Sequence, residues 1–272
     1  MPPKDSPSPE GSAGHPSPAG GVAIAPAPAG TSPGLKRSAL LALALIFPAC
    51  AVTYWIAARA LNLGPGAGSV ALVLLALIFA LVLRGLRHHP FPRFGPANVT
   101  TSLRAGLGVF AAAALVLGND LSAADPRLWP LLALALLALV LDGLDGFLAR
   151  RSHLSSRFGA RYDMELDAFL ILGLSLAVVA LDKAGPWALL IGAMRYLFVA
   201  GSYVWPWLDG PLPPSWRRKA VCVWQIAALC LALVPSLPVA SATMIAGSAL
   251  LLLAWSFAVD IATLWRLGRQ AS

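Results

Sequence analysis

Asp142, Asp145, Asp163 and Asp167 stand within one short stretch, DGLDGFLARRSHLSSRFGARYDMELD, and are the residues of this chain best placed to do chemistry. The first pair is spaced i, i+3 and the second i, i+4, so on helices each pair shares a face. Apolar runs flank the stretch, WPLLALALLALVL before it and AFLILGLSLAVVAL after it. A carboxylate at the edge of a hydrocarbon-spanning helix is costly unless it is paired with a cation or faces water. Four converging carboxylates also repel one another. A hard divalent cation relieves both problems, and magnesium takes a few carboxylates and completes its shell with phosphate oxygens. The plainer alternative is four aspartates that only reach for solvent at loop ends.

The elements that must position these residues are membrane helices. Of 272 residues, 58% are hydrophobic and 12% charged, an apolar excess that points to an all-α polytopic membrane protein. A span needs about 20 mostly apolar residues. Eight stretches qualify: 39–58, 68–86, 99–118, 128–149, 163–182, 186–206, 217–235 and 240–264. Basic residues crowd alternate connections: Lys36 and Arg37; Arg84, Arg87, Arg93 and Arg104; Arg150, Arg151, Arg157 and Arg161; Arg217, Arg218 and Lys219; Arg266 and Arg269. The other connections hold only Arg59, Arg127 and Lys183. The positive-inside rule then places both termini and the aspartate loop in the cytoplasm, as in a bacterial inner membrane. Trp129 and Trp187 at one end, and Trp205, Trp207 and Trp216 at the other, suit interfacial belts.

The net charge of +8 is spread between apolar runs, which favours anionic head groups over nucleic acid as its partner. Cys50, Cys222 and Cys230 all lie in apolar runs without zinc-ligand or disulfide spacing. The expected organisation is a disordered tail over 1–38, rich in Pro, Gly, Ser and Ala, then an additional two-helix hairpin over 39–86. A basic interfacial segment over 87–98 leads into a six-helix catalytic core over 99–265, and 266–272 form a short tail. His88 and His89, in the interfacial segment, read as surface residues.

The aspartates belong to a longer pattern, D-x2-D-G-x2-A-R-x8-G-x3-D-x3-D, met by Asp142, Asp145, Gly146, Ala149, Arg150, Gly159, Asp163 and Asp167. It resembles the motif of the CDP-alcohol phosphatidyltransferases, membrane enzymes of phospholipid synthesis. Upstream, Pro96, Asn98, Thr101 and Arg104 are similar to the start of that family's first core helix. The resemblance implies that CDP-diacylglycerol is the donor, that an alcohol attacks it, and that CMP leaves. It implies one or two ions of Mg2+ (or Mn2+) on Asp142, Asp145 and Asp163, with Asp167 either a further ligand or the base. Gly146 and Ala149 would let the nucleotide approach, or else serve helix packing; Arg150 would bind phosphate; Asn98, Thr101 and Arg104 would line the nucleotide pocket, or else be ordinary polar residues of a helix end. A homodimer is likewise implied.

Gly159 is expected to relax the turn before the next helix. Glu165 is left out of the metal set, because residues two apart do not share a helix face. For the acceptor, Arg195 is the one basic residue deep within a span, and Arg217, Arg218 and Lys219 open the next. Together they could hold a phosphate, favouring glycerol 3-phosphate or inositol phosphate over serine or choline. Arg195 could instead bridge to Glu165 or Asp260, and the other three could serve as cytoplasmic anchors. Two other classes compete: a membrane prenyltransferase, which uses two separated aspartate motifs, and a cation-binding transporter, which usually shows inverted repeats.

Overall fold

A computed structural model describes residues 32–151, 156–210, 212–213 and 215–271; the side chains of 145–151, 157, 270 and 271 fall outside the description. Eight α-helices follow one another: α1 (Pro33–Ala60), α2 (Pro65–Gly85), α3 (Pro96–Leu117), α4 (Leu128–Arg151), α5 (Arg157–Ala180), α6 (Leu189–Val204), α7 (Trp216–Ala232) and α8 (Val239–Ala271). No strand occurs among the described residues. Five of these helices are long and apolar enough to cross a membrane by composition: α1, α2, α3, α6 with its preceding turn, and α8. The other three, α4, α5 and α7, carry charged residues toward one end: Asp142 in α4, Asp163 and Asp167 in α5, and Arg217, Arg218 and Lys219 in α7. The protein is an integral membrane protein.

Helix starts follow local chemistry. Ser32 caps α1 by accepting from Leu35 N, with Pro33 in the first turn, where a missing N–H costs nothing. Ser156 caps α5, its Oγ accepting from Gly159 N at 2.9 Å. The observed helices overrun several expected boundaries. α1 starts at Pro33 and α3 at Pro96, and α8 continues to Ala271, so the expected C-terminal tail is helical up to that residue. Most of the expected N-terminal tail lies outside the described residues.

α3 is the hub. It packs on α4, α2, α5 and α1, and its buried surface includes Gly106, Gly108 and the alanines 111–114. Such small residues let neighbouring backbones approach where lipid supplies no hydrophobic drive for helix association. The hairpin α1–α2 is bound to this hub directly. Tyr54 donates its hydroxyl hydrogen to Gly106 O and stacks on Phe110, with ring centroids 4.6 Å apart. At the other side α7 and α8 pair with each other, and α7 packs against α5 and α4.

Arg127 and Lys183, in the α3–α4 and α5–α6 connections, both have internal acceptors. Arg127 forms an ion pair with Asp125 at 2.7 Å, which holds the Asp125 carboxyl below its ordinary range. Lys183 is buried, and its Nζ donates to Val234 O and Leu237 O, each at 2.9 Å. The ammonium thus satisfies carbonyls of the α7–α8 loop and joins the α5–α6 loop to it.

Candidate active site

The carboxylates come together from two helices. Asp142 sits in the charged third of α4, and Asp163 and Asp167 lie one turn apart in the first half of α5. One oxygen from each of Asp142, Asp163 and Asp167 can be chosen so that all three lie within 4.8 Å of one another. Asp145, Gly146, Ala149 and Arg150 continue α4, but their side chains lie outside the described residues. Asp145 is three residues beyond Asp142 on the same helix, hence on the same face.

Arg104 of α3 enters this cluster. Its Nη1 donates to Asp142 Oδ1 at 2.6 Å and to Asp167 Oδ1 at 2.8 Å, and its Nη2 donates to Asp163 Oδ1. The guanidinium is 3% exposed, so this charge is almost entirely desolvated and depends on its partners. The four groups still carry an excess of two negative charges. Three hard, mutually close oxygens with surplus negative charge are a donor set suited to a divalent magnesium-like ion.

The nucleotide stripe expected on α3 is present but differentiated. Asn98, Thr101 and Arg104 are all buried. Asn98 Nδ2 donates to Phe94 O and Thr101 Oγ1 to Ala97 O, both at the start of α3, while Arg104 reaches the carboxylates. Beside the cluster lies a small crevice. Arg104 and Asp167 form its polar end, and Val109, Ala138, Leu166 and Leu170 its apolar wall.

The remaining candidates are not brought to the cluster. Arg195 Nη2 pairs with Glu165 Oε1 at 2.7 Å, and its Nη1 lies 3.0 Å from Met164 Sδ. That pairing is on the side of α5 away from Asp163 and Asp167, because Glu165 is two residues from each. Arg217 bonds Ser256 O at 2.6 Å and Asp260 Oδ1 at 2.5 Å, fastening α7 to α8. Arg218 shares Asp260 at 3.3 Å, and Lys219 Nζ stands over the Trp216 ring.

Two expectations need correction. Gly159 does not relax a turn: it is the third residue of α5, and a Cβ there would stand 3.1 Å from Asn98 Oδ1 and 3.3 Å from Ser156 Oγ. Its lack of a side chain permits the close approach of α3. His89 is not a surface residue either; it is buried, with Nε2 3.1 Å from Arg93 O and Nδ1 3.3 Å from Ser156 Oγ. Its ring meets Phe91 and Phe158 edge-on. His88 remains exposed. One neighbour of the cluster carried no sequence signal: Cys222 Sγ of α7 lies 3.6 Å from Asp167 Oδ2.

The model of one protein family, CDP-alcohol phosphatidyltransferase, matches residues 94–259, more than half of the chain. The chain belongs to the CDP-alcohol phosphatidyltransferase family. The match begins at Phe94, just before α3, and ends at Val259 within α8, so it takes in every helix that builds the aspartate cluster and leaves out α1 and α2. Comparisons with curated proteins and with solved structures found no match. As a CDP-alcohol phosphatidyltransferase the protein is a transferase of phospholipid biosynthesis that acts on CDP-alcohol substrates in a lipid environment.

Proposed function

We propose that the protein transfers the phosphatidyl group of CDP-diacylglycerol to a phosphorylated polyol such as glycerol 3-phosphate, releasing CMP at the cytoplasmic face. The observation that carries this reading is the convergence of Asp142, Asp163 and Asp167 on Arg104 at the polar end of an apolar crevice. A lipid diphosphate has the same two-ended character. Its acyl part belongs in hydrocarbon and its diphosphate belongs with cations.

Asp142, Asp163 and Asp167, joined by Asp145 on the face of Asp142, would hold Mg2+ or Mn2+. When bound, such an ion neutralises diphosphate charge and makes the phosphorus more electrophilic. The protein's own residues do the rest. Arg104 counters the carboxylates' repulsion and orders them before substrate arrives, and Arg150 of α4 binds a diphosphate oxygen. Asp167 accepts the proton of the acceptor hydroxyl. The acceptor oxygen then forms a bond to the phosphorus that bears diacylglycerol, while the bond from that phosphorus to the CMP oxygen breaks.

A phosphorylated acceptor is the reading that the positive charge of α6 and α7 supports, and it requires Arg195 and Arg217 to exchange their partners Glu165 and Asp260 for the acceptor's phosphate. Arg195 Nε is buried without a hydrogen-bond partner among the described residues, so its pairing with Glu165 leaves donor capacity over. Arg217 and Lys219 begin α7 close in sequence to Cys222, which itself reaches Asp167. The cytoplasmic assignment rests on the alternation of basic loops, supported by the ion pair of Arg127 with Asp125 and the burial of Lys183 against backbone carbonyls on the opposite side.

The test is CMP release by the full chain in detergent or proteoliposomes with CDP-diacylglycerol, Mg2+ and a panel of acceptors. Release with glycerol 3-phosphate and a raised KM for it in Arg195→Gln are expected. Release only with serine, choline or free inositol would overturn the acceptor; no release with any acceptor would overturn the donor.

A further inference from the structure

The Asp167 carboxylate is contacted at both of its oxygens. Its Oδ1 receives a hydrogen bond from Arg104 Nη1 at 2.8 Å, and its Oδ2 receives one from the thiol of Cys222, at 3.6 Å. That distance is ordinary for a sulfur donor, whose radius is larger than that of oxygen or nitrogen. The thiol comes from a fourth helix. α3 supplies the guanidinium, α4 and α5 the carboxylates, and α7 the thiol.

The placement of Cys222 is determined by the way α7 is set. Cys222, Gln225, Ile226 and Leu229 follow the i, i+3, i+4, i+7 spacing of one helical face. The last three are fully buried, while Cys222, at the site end of the stripe, is half-buried. The rotation of α7 is pinned at both levels: Arg217 is bonded to Ser256 O and Asp260 of α8, and Gln225 Nε2 donates to Ala249 O of α8 at 3.0 Å. The thiol therefore does not drift into contact with Asp167; two interhelical anchors on the same helix hold it there. The other cysteines, Cys50 and Cys230, are buried in apolar surroundings away from any carboxylate bond.

We infer that Cys222 is a positioning residue for Asp167, its S–H donating to Oδ2 while Arg104 holds Oδ1. A carboxylate fixed at one oxygen rotates about its own axis. Fixed at both, it presents its remaining lone pairs in one orientation, toward the ion and the acceptor hydroxyl. This deepens the proposed reaction and rests on the reading of Asp167 given there. Because the thiol is a weaker donor than a guanidinium, it steers the carboxylate without competing for it as a second positive charge would.

The experiment uses the full-length protein in detergent, as wild type, Cys222→Ala and Cys222→Ser, with Mn2+ binding followed by electron paramagnetic resonance beside steady-state kinetics and melting temperature. Cys222→Ala is expected to lower kcat about ten-fold, with KM for CDP-diacylglycerol changed by less than about two-fold, and to weaken Mn2+ binding several-fold. Cys222→Ser, which keeps an O–H donor, is expected to recover most of both. Wild-type kcat and Mn2+ affinity in Cys222→Ala would overturn the inference. So would equal losses in Ala and Ser variants that track a lowered melting temperature, since that pattern belongs to packing alone. If Cys222→Ala fails to fold, methylthiolation of the folded wild-type protein, located on Cys222 by mass spectrometry, removes the same donor. Full kcat after complete labelling would then sink the idea, and loss of kcat with an unchanged melting temperature supports it. Absence of CMP release from the wild type would defeat the proposed reaction, and the Mn2+ measurement would still decide the role of Cys222.

Discussion

Arg104 Nη1 donates to Asp167 Oδ1 across 2.8 Å, so the guanidinium of α3 is bonded to an oxygen that a metal ion would also use. The two kinds of cation serve one need. Without a divalent ion, Arg104 is what makes three close carboxylates tolerable beside hydrocarbon. With one bound, Asp142, Asp163 and Asp167 would hold the ion, and Arg104 would have less carboxylate charge to compensate and more donor capacity for phosphate. A fixed structural salt bridge would show no such exchange.

Asp142→Asn, Asp163→Asn and Asp167→Asn are each expected to lower kcat/KM by at least about 100-fold, equivalent to about 2.7 kcal/mol of transition-state stabilisation. The amide keeps the volume and loses the charge that a hard cation requires. Chelation of divalent ions should abolish wild-type turnover, and Mg2+ or Mn2+ should restore it. Near-normal, chelator-resistant activity in any of the three variants would exclude that residue from the ion site. Initial rates of CMP formation make the measurement.

Arg104→Gln is expected to destabilise the metal-free protein by about 3 kcal/mol, the cost of leaving buried charges without their partner. The sign of the metal effect distinguishes this from a general loss of packing. An ion that binds the folded site alone adds stability by mass action, and it should raise the melting temperature of the variant more than that of the wild type, because the variant has more uncompensated charge. Thermal melts with and without Mn2+ decide it. Equal increments in both proteins would show that the guanidinium and the ion do not share the site.

Gly192→Ala should separate α5 from α6. A Cβ at Gly192 would come within 2.4 Å of Leu172 Cα, a backbone atom that cannot move alone, so the expected cost is about 1–3 kcal/mol. Gly247→Ala provides the opposite case in the same membrane environment. Nothing lies within 4 Å of a Cβ there, and the higher helix propensity of alanine should stabilise by about 0.5–1 kcal/mol. Melting temperatures that move the same way in both would refute the close α5–α6 contact.

The eight helices could be read from the sequence because apolar run length is a local property, and the aspartates because their spacing is local too. Arg104 was legible as part of a polar stripe on one helix, with Asn98 and Thr101, but its insertion among the carboxylates depends on how α3, α4 and α5 pack. Cys222 gave no signal, since a cysteine in an apolar run looks the same whether it faces lipid or a carboxylate. Lys183 looked like a loop charge; the carbonyls that hold it lie 51 and more residues away. His89 was misread for a related reason. Basic neighbours suggested a solvated segment, whereas Phe91 and Phe158 close over the ring and only the tertiary fold brings Phe158 there.

That burial gives His89 a pH dependence of predictable sign. Desolvation pushes its pKa below the ordinary 6.5, with the carbonyl of Arg93 opposing the shift. With Nε2–H donating to Arg93 O, Nδ1 is left to accept from the Ser156 hydroxyl, whose oxygen caps α5 through Gly159 N. The neutral ring therefore supports the start of the helix that carries Asp163 and Asp167. Because the folded state holds the proton less tightly than the unfolded chain, this contribution is complete above pH 6.5 and is lost as the pH falls below it. Below pH 6.5 the melting temperature of the wild type should decline, and in His89→Gln the decline should be shallower, since the amide cannot be protonated there. A slope unchanged by His89→Gln would mean that the carboxylates alone set the acid sensitivity, and that the His89–Ser156 contact does not hold the cap of α5.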